Sequence, residues 1–339
     1  MTCGINNSRV LLAHGDGGLL SREMVRDIFL KYFNNPLLGQ LSDAAVFRLK
    51  GEKVATTIDA FVVDPVFFPG GDIGKLAVCG TVNDLAVSGA RPVYLNASFI
   101  IEEGLLLTDL EKIAAAMAEA CVEAGVAIVA GDTKVVPRGH ADKIFITTSG
   151  VGIVPDGLDL GYHRPEPGDV VIVNGSMGNH GLTVLTAREA LGLEGALKSD
   201  CAPLNHTIFH LLSGCPGVKL MRDLTRGGLA SAAKEIAESC GMDMLIKETA
   251  VPVDREVRGA AEMLGLDPFY LANEGKFLAV VTAGEADKAL ELLHESIYGR
   301  DAVIIGEVRA GRGSVYLQTA LGGTKFLDLL AGAPLPRIC

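Results

Sequence analysis

The sequence predicts an α/β (α+β) protein of two domains with a short C-terminal arm. Three observations lead there. The 339 residues exceed what one compact core usually holds. Short β-branched runs alternate with helical patterns in both halves of the chain. The stretch Gly161 to Gly168, with two prolines and several charges, separates the halves and reads as an interdomain linker. The expected units are an N-terminal Gly-rich segment (1–38), two α/β domains (39–161 and 162–330) and a mobile tail (331–339).

Within 1–38, the glycines of His14-Gly15-Asp16-Gly17-Gly18 precede an amphipathic stretch around Met24–Phe33. Val54–Val63 is β-branched and apolar with turn signals at both ends, which predicts a strand. Asp72 is a suitable N-cap for a helix from Ile73 to about Ser88, closed by Gly89 and Pro92. Thr108-Asp109-Leu110-Glu111 has the form of a capping box. It predicts a helix with Leu110, Ile113, Ala114, Met117, Ala118 and Cys121 on one face, ended by Gly125. Val126–Ala130 and Ile144–Val154 read as buried strands. Beyond the linker, Val170–Val173, Phe277–Thr282 and Ala302–Val308 read as strands, and Gly227–Cys240 as a helix stopped by Gly241.

Hydrophobic residues make up 49% of the chain and charged residues 21%, as in a folded soluble protein. The net charge of −11 argues against a general nucleic-acid or anionic-membrane binder, whose surface needs clustered Lys and Arg. A nucleotide needs only a local anion site. No basic-then-apolar leader and no apolar run of membrane-spanning length is present, so a cytoplasmic location is expected. The seven cysteines form no C-x-x-C, which leaves a zinc or dithiol redox site without support. Cys121 and Cys240 fall on apolar helix faces and read as core.

Four aspartates stand in apolar surroundings: Asp43 before Ala44-Ala45-Val46-Phe47, Asp59 within a strand, Asp84 within a helical run, and Asp132 after Ile128-Val129-Ala130-Gly131. A buried carboxylate is costly unless paired or bound to a cation. Carboxylate clusters suit hard cations such as Mg²⁺, which bridges to phosphate. Each Asp taken singly reads equally as a turn cap or an ion-pair partner. Lys134, closing Gly131-Asp132-Thr133-Lys134, is placed either to offset a phosphate charge or on the surface. Asp223-Leu224-Thr225-Arg226-Gly227-Gly228 leads into a helix and offers backbone N–H groups to an anion. Glu274, in Asn273-Glu274-Gly275-Lys276, reads as a general base or as an exposed turn carboxylate. His14 and His180, in Gly-rich loops, are candidate phosphate or proton contacts. No P-loop is present, since Pro69 and Leu76 replace its required residues, and no dinucleotide fingerprint follows a strand. Leu330 to Cys339, stiffened by Pro334 and Pro336, reads as an arm reaching about 30 Å and tipped with a nucleophile. The plainer reading is a frayed tail that ends in Cys.

Taken in order, these pieces resemble the HypE family of hydrogenase maturation factors, which are carbamoyl dehydratases. The stretches that carry the resemblance are Leu12–Gly18, Pro65–Lys75, Gly131–Val136, Thr225–Gly228, Asn273–Lys276 and the terminal Pro336-Arg337-Ile338-Cys339. The last is the specific one. The Asp-rich blocks alone indicate the wider superfamily of aminoimidazole ribonucleotide synthetase, thiamine-monophosphate kinase and selenophosphate synthetase. Asn179 departs from the pattern, standing where relatives carry Asp.

The resemblance implies an aminoimidazole ribonucleotide synthetase-like fold in a homodimer, the N-terminal domains forming a dimer-spanning β-barrel. It implies ATP between the domains beneath the Gly-rich segment of His14, Gly17 and Gly18, with Mg²⁺ on Asp43, Asp59, Asp84 and Asp132 and with Asp223 nearby. Cys339 would carry S-carbamoyl, dehydrated to S-cyanide with Lys134 acting on the γ-phosphate and Glu274 as base. HypF would supply the carbamoyl group and the HypC–HypD complex would take the cyanide onto iron. The alternatives are another ATP-dependent kinase or synthetase of the superfamily acting on a free small molecule, or a non-catalytic thiol carrier.

Overall fold

The computed structural model describes residues 18–33, 38–189, 191, 197–330, 335 and 337–339. The chain opens with α1 (Leu19–Met24) and α2 (Leu30–Phe33), joined through a π-helical turn, Val25–Phe29. The N-terminal domain then runs β1 (Ala45–Leu49), β2 (Glu52–Phe61), β3 (Phe67–Phe68), β4 (Gly71–Asp72), α3 (Ile73–Val87), β5 (Arg91–Glu102), α4 (Leu107–Ala124), β6 (Ala127–Val136) and β7 (Ile144–Val154). The C-terminal domain follows with β8 (Val170–Val173), α5 (Asn179–Arg188), α6 (Asn205–Gly214), β9 (Val218–Asp223), α7 (Gly228–Cys240), β10 (Asp243–Lys247), α8 (Arg255–Leu264), β11 (Phe277–Val281), α9 (Ala286–His294), β12 (Val303–Arg309), β13 (Val315–Gln318) and β14 (Thr324–Leu327).

Two sheets organise these elements. The N-terminal sheet has the order β1-β2-β7-β5-β6, antiparallel except for β5 and β6. The C-terminal sheet has the order β14-β13-β10-β12-β8-β11-β9 and is antiparallel except between β10 and β13. α3 forms where expected, and the Asp72 carboxylate accepts from the Gly74 and Lys75 amides (2.7 and 3.1 Å). This helix is apolar all round and accordingly enclosed, with thirteen of its fifteen residues buried. Its N-terminal part packs in the core of its own domain, while Ala86 and Val87 pack with Ile172, Leu204 and Phe277 of the other.

Three expectations are corrected. α4 begins at Leu107, so Thr108 lies inside the first turn and no side chain caps the helix. Its buried stripe is Ile113, Met117, Ala120, Cys121 and Ala124, which leaves Ala114 and Ala118 outside. The expected buried strand at Val126–Ala130 is the start of β6, an edge strand whose residues are nearly all exposed. The N-terminal sheet is covered by α3 on one face only. By strand register Ile58, Tyr94, Ile100, Val151 and Ile153 share the other face, and all five are exposed. The sheet is open, and the described residues close no barrel within one chain. The tail is described at residues 335 and 337–339. Leu335 and Ile338 are apolar and join a core cluster built from both domains, each only 5% exposed.

Candidate functional site

Asp43, Asp84 and Asp223 converge, with one carboxylate oxygen of each within 4.8 Å of the others. They come from the turn before β1, the C-terminal half of α3 and the end of β9, so the group forms only where the two domains meet. Thr57 on β2 ties it together, its Oγ1 lying 2.8 Å from Asp84 Oδ2 and 2.9 Å from the Asp43 carbonyl. Asp59, two residues along β2, accepts from Thr81 on α3 (3.2 Å). Thr81 is paired in turn with Thr148 on β7 at 2.6 Å. Arg222 reaches across from β9 to Asp43 (3.1 Å), also bridging Glu235 (2.7 Å) and donating to the Tyr162 hydroxyl (2.9 Å).

Burial raises every carboxyl of this group, because water no longer solvates the charge. It lifts Asp84 well above the usual carboxylate range, and Asp59, Asp223 and Asp43 push it further. Asp223 is pushed up to about 8, by burial first and then by Asp43. Asp43 and Asp59 rise for the same reason, opposed by Arg222 and by the Thr81 hydroxyl respectively. A set of oxygens that repel one another and hold protons too tightly suits a small dication. Mg²⁺ would replace those protons and use the hard donors present. Two cavities adjoin Asp43. One of about 620 Å³ runs along β1 and β2 past Thr57 and Ile58 to Ser149. The other, of about 730 Å³, lies between the domains beside Tyr162 and Met221.

Glu274 is 2% exposed, which removes the reading as a surface turn carboxylate. Its backbone is fixed from several elements. Asn83 on α3 donates to the Glu274 and Ala202 carbonyls (3.3 and 3.0 Å) and accepts from Leu204 N–H (2.7 Å). Asp200 accepts from the Glu274 and Gly275 amides and pairs with Lys276 (3.2 Å). Asn174 holds the Gly275 carbonyl and the Phe277 amide. A Cβ at position 275 would collide with the Asp200 carbonyl, which accounts for glycine there. One carboxyl oxygen is left unpaired: Glu274 Oε1 is buried with no hydrogen-bond partner among the described residues. Burial lifts its pKa well above the usual range, with Cys201 and Asp223 adding to the shift.

The chain's last residues enter this same space. Val62 N–H donates to the Cys339 carbonyl (3.0 Å) and Asp64 N–H to the Arg337 carbonyl (3.2 Å). The Cys339 thiol is pushed up to about 12, chiefly by burial, with Arg226 opposing and Glu274, Asp59 and Asp223 adding. Interaction with Cys339 is in turn the first cause that raises the Arg226 pKa.

Two of the expected site residues lie elsewhere. Asp132 and Lys134 are 65% and 70% exposed at their side chains and pair with each other at 3.0 Å. Register explains their separation: Asp132 aligns with Ser98 and Lys134 with Ile100, on the open face of the sheet. Asp59 aligns with Thr148 on the covered face. Asp223 takes the place in the acidic group that the sequence reading gave to Asp132. His14 and Gly17 lie outside the described residues. Gly18 is described, and its carbonyl accepts from Arg22 N–H (3.1 Å). Asn83, Asp200 and Arg222 were missed by sequence reasoning, since their work depends on partners far away in the chain. Arg222 stands beside Asp223, and a charged pair ending an apolar strand was the one available signal.

Two family models match, the AIR synthase related protein N-terminal domain over residues 41–154 and its C-terminal domain over 166–318. Carbamoyl dehydratase HypE of Rhodobacter capsulatus is 49% identical over 339 residues, covering 99% of both chains. Among solved structures, a chain of the HypE-HypF complex superposes with a TM-score of 0.86 at 46% identity, covering 91% of this chain and 99% of that one. The hydrogenase maturation protein HypE in complex with ATP gives a TM-score of 0.82 at 46% identity, covering 98% and 100%.

Proposed function

The chain belongs to the AIR synthase related proteins and, within them, to the HypE carbamoyl dehydratases. From that premise we propose that it dehydrates an S-carbamoyl group on Cys339 to S-cyanide at the expense of ATP, supplying the cyanide ligand for hydrogenase iron-centre assembly. The single observation that carries this reading is Cys339 seated among Glu274, Arg226, Asp59 and Asp223, beside a carboxylate group suited to a metal–nucleotide.

ATP supplies a phosphoryl group that turns the carbamoyl oxygen into a good leaving group; Asp43, Asp84 and Asp223 would hold Mg²⁺, which would offset phosphate charge. One N–H proton of S–C(=O)–NH₂ is given up as the oxygen is phosphorylated. The second leaves as the C–O bond breaks, releasing inorganic phosphate and S–C≡N. Glu274 is the base for these protons, its unpaired Oε1 being free to accept. Because burial raises its pKa, the ionised, active form grows as pH rises. Arg226 lowers the Cys339 thiol pKa and so favours negative charge on the sulfur. Enclosure by both domains keeps water from the phosphorylated group.

A second copy of the chain completes the assembly. The exposed apolar residues of the open sheet face, Ile58, Tyr94, Ile100, Val151 and Ile153, would be buried against the same face of a second copy, as in a symmetric dimer. Asp132 and Lys134 lie on that face, so their work on phosphate is exerted across the dimer. HypF as carbamoyl donor and HypC–HypD as cyanide acceptor are the partners this chemistry calls for. Intact-mass analysis tests the reading. Wild type with the carbamoyl-donor system gains one carbamoyl group and loses one water on adding ATP, whereas Cys339→Ala stays unmodified. Equal modification of the Ala variant refutes Cys339 as acceptor.

A further inference from the structure

We infer that His180 is the positioning residue that seats the C-terminal segment: its Nε2–H holds the Ile338 carbonyl and so keeps the Cys339 thiol in the site. The imidazole is fully buried at the start of α5. Nε2 lies 2.6 Å from the Ile338 carbonyl and Nδ1 lies 2.8 Å from Ser199 Oγ. Burial favours the neutral ring, and in a neutral imidazole only one arrangement of protons satisfies both contacts. A carbonyl can only accept, so Nε2 carries the proton and Nδ1 accepts from the Ser199 hydroxyl. Ser199 Oγ accepts in turn from the Cys201 amide (3.1 Å), so the three hydrogen bonds run in one direction. The Phe68 ring meets the imidazole edge-on, with centroids 5.3 Å apart, and fixes its plane.

The neighbouring contacts explain why a latch is needed. Arg337 is held at φ 57°, a backbone conformation that non-glycine residues rarely adopt. Its carbonyl takes Arg188 Nη2 (2.5 Å) as well as the Asp64 amide, and its guanidinium pairs with Asp142. The segment is thus bent against its own preference and held by donors from both domains. Ile338 beside it is buried, so its carbonyl has no water to fall back on once the imidazole is removed. Seating and release therefore turn on one neutral histidine. The bearing of this on catalysis rests on the reading of Cys339 as carrier, but the latch itself is testable without any carbamoyl chemistry.

The test is the rate of iodoacetamide labelling at each cysteine, read by peptide mass spectrometry on the full-length protein without nucleotide. A seated Cys339 presents almost no thiolate at neutral pH, so its labelling follows the released fraction. His180→Phe keeps bulk but loses the donor, and it should label Cys339 roughly ten-fold faster, the scale set by an unpaired buried carbonyl. His180→Asn keeps a partner for Ser199 but falls short of Ile338, and should behave like His180→Phe. His180→Gln, with its amide near the Nε2 position, should return the rate toward wild type. Cys79 and Cys201, buried in the same core, are the internal controls and should stay slow. Wild-type labelling of Cys339 in folded His180→Phe and His180→Asn overturns the proposal. So does acceleration of Cys79 and Cys201 in step with Cys339, which makes His180 a general core residue. Normal mass changes at Cys339 alongside unaltered labelling would sink the latch alone and leave the proposed reaction standing.

Discussion

Replacing Asp84 by asparagine should stabilise the metal-free protein and weaken its hold on metal–nucleotide. The shape of the side chain and its contact with Thr57 are retained, since an amide oxygen accepts the same hydrogen bond. What changes is charge. Oxygens of Asp43 and Asp223 lie within 4.8 Å of Asp84. Two unit charges at that separation repel by about 3.5 kcal/mol at an effective dielectric constant near 20. Protonation already relieves much of this at neutral pH, so the expected gain is about 1–3 kcal/mol, a rise of a few degrees in Tm. The pH dependence has a definite sign. Carboxyls whose pKa is raised by folding bind more protons in the native than in the unfolded state. Their contribution is full below the unfolded value near 4 and is lost as pH rises through the folded one, about 8 for Asp223. Wild type without metal should therefore lose stability between about pH 4 and about pH 8, and Asp84→Asn should flatten that slope. Mg²⁺ reverses the balance by making the same charges attractive. With Mg²⁺ and ATP, wild type should gain the larger Tm shift, and calorimetric titration should show Mg-dependent nucleotide affinity falling at least roughly ten-fold in the variant. Lower stability of Asp84→Asn without metal, together with undiminished stabilisation by Mg-ATP, would refute both the crowding and the metal assignment.

Glu274→Gln should bind ATP normally and form thiocyanate about 10²–10⁴-fold more slowly, and the wild-type rate should climb with pH as Glu274 ionises. Wild-type turnover in the variant, measured on S-carbamoylated protein, removes Glu274 from the mechanism. Lys134→Ala should lose ATP cleavage and dehydration together, because both depend on the phosphoryl transfer it assists; ATP cleavage at the normal rate would place Lys134 outside the site. Tyr94→Glu with Val151→Glu puts charges on two cross-strand partners of the open sheet face. Light scattering should then find monomers, and ATP turnover should fall with the dimer fraction even though the acidic group is intact. An active monomer would separate Asp132 and Lys134 from catalysis.

Much of the fold was legible because it is written locally. The Asp72 cap and the glycines that end helices at 125 and 241 follow from short-range rules and formed as expected, and a strand formed at Ile144–Val154, buried on alternate residues rather than throughout. The misreadings share a cause. Val126–Ala130 is apolar, and apolarity alone cannot tell a buried strand from one lying at an open sheet face. Asp132 looked like a fourth ligand because its surroundings in sequence resemble those of Asp84. Strand alternation, which only register fixes, turned it to the opposite face from Asp59. The acid that joins the group, Asp223, comes from the other domain, and no spacing rule links it to Asp43. His180 was visible only as a histidine in a Gly-rich loop, since its partner lies 158 residues further on.

The enclosure of α3 has a consequence for how the molecule comes apart. A helix sunk in one domain and also packed against the next is a shared structural beam, not a hinge. Melting either domain would strip apolar surface from the other, and that cost couples the two unfolding equilibria. Heating should therefore produce a single transition rather than two. Cutting the chain at the linker should yield fragments that aggregate, the N-terminal piece with Ala86 and Val87 laid bare and the C-terminal piece with the facing residues Leu204 and Phe277 exposed. The same coupling bears on access. Opening the domains would forfeit that shared burial, so release of the segment that carries Cys339 is the less costly route into the site.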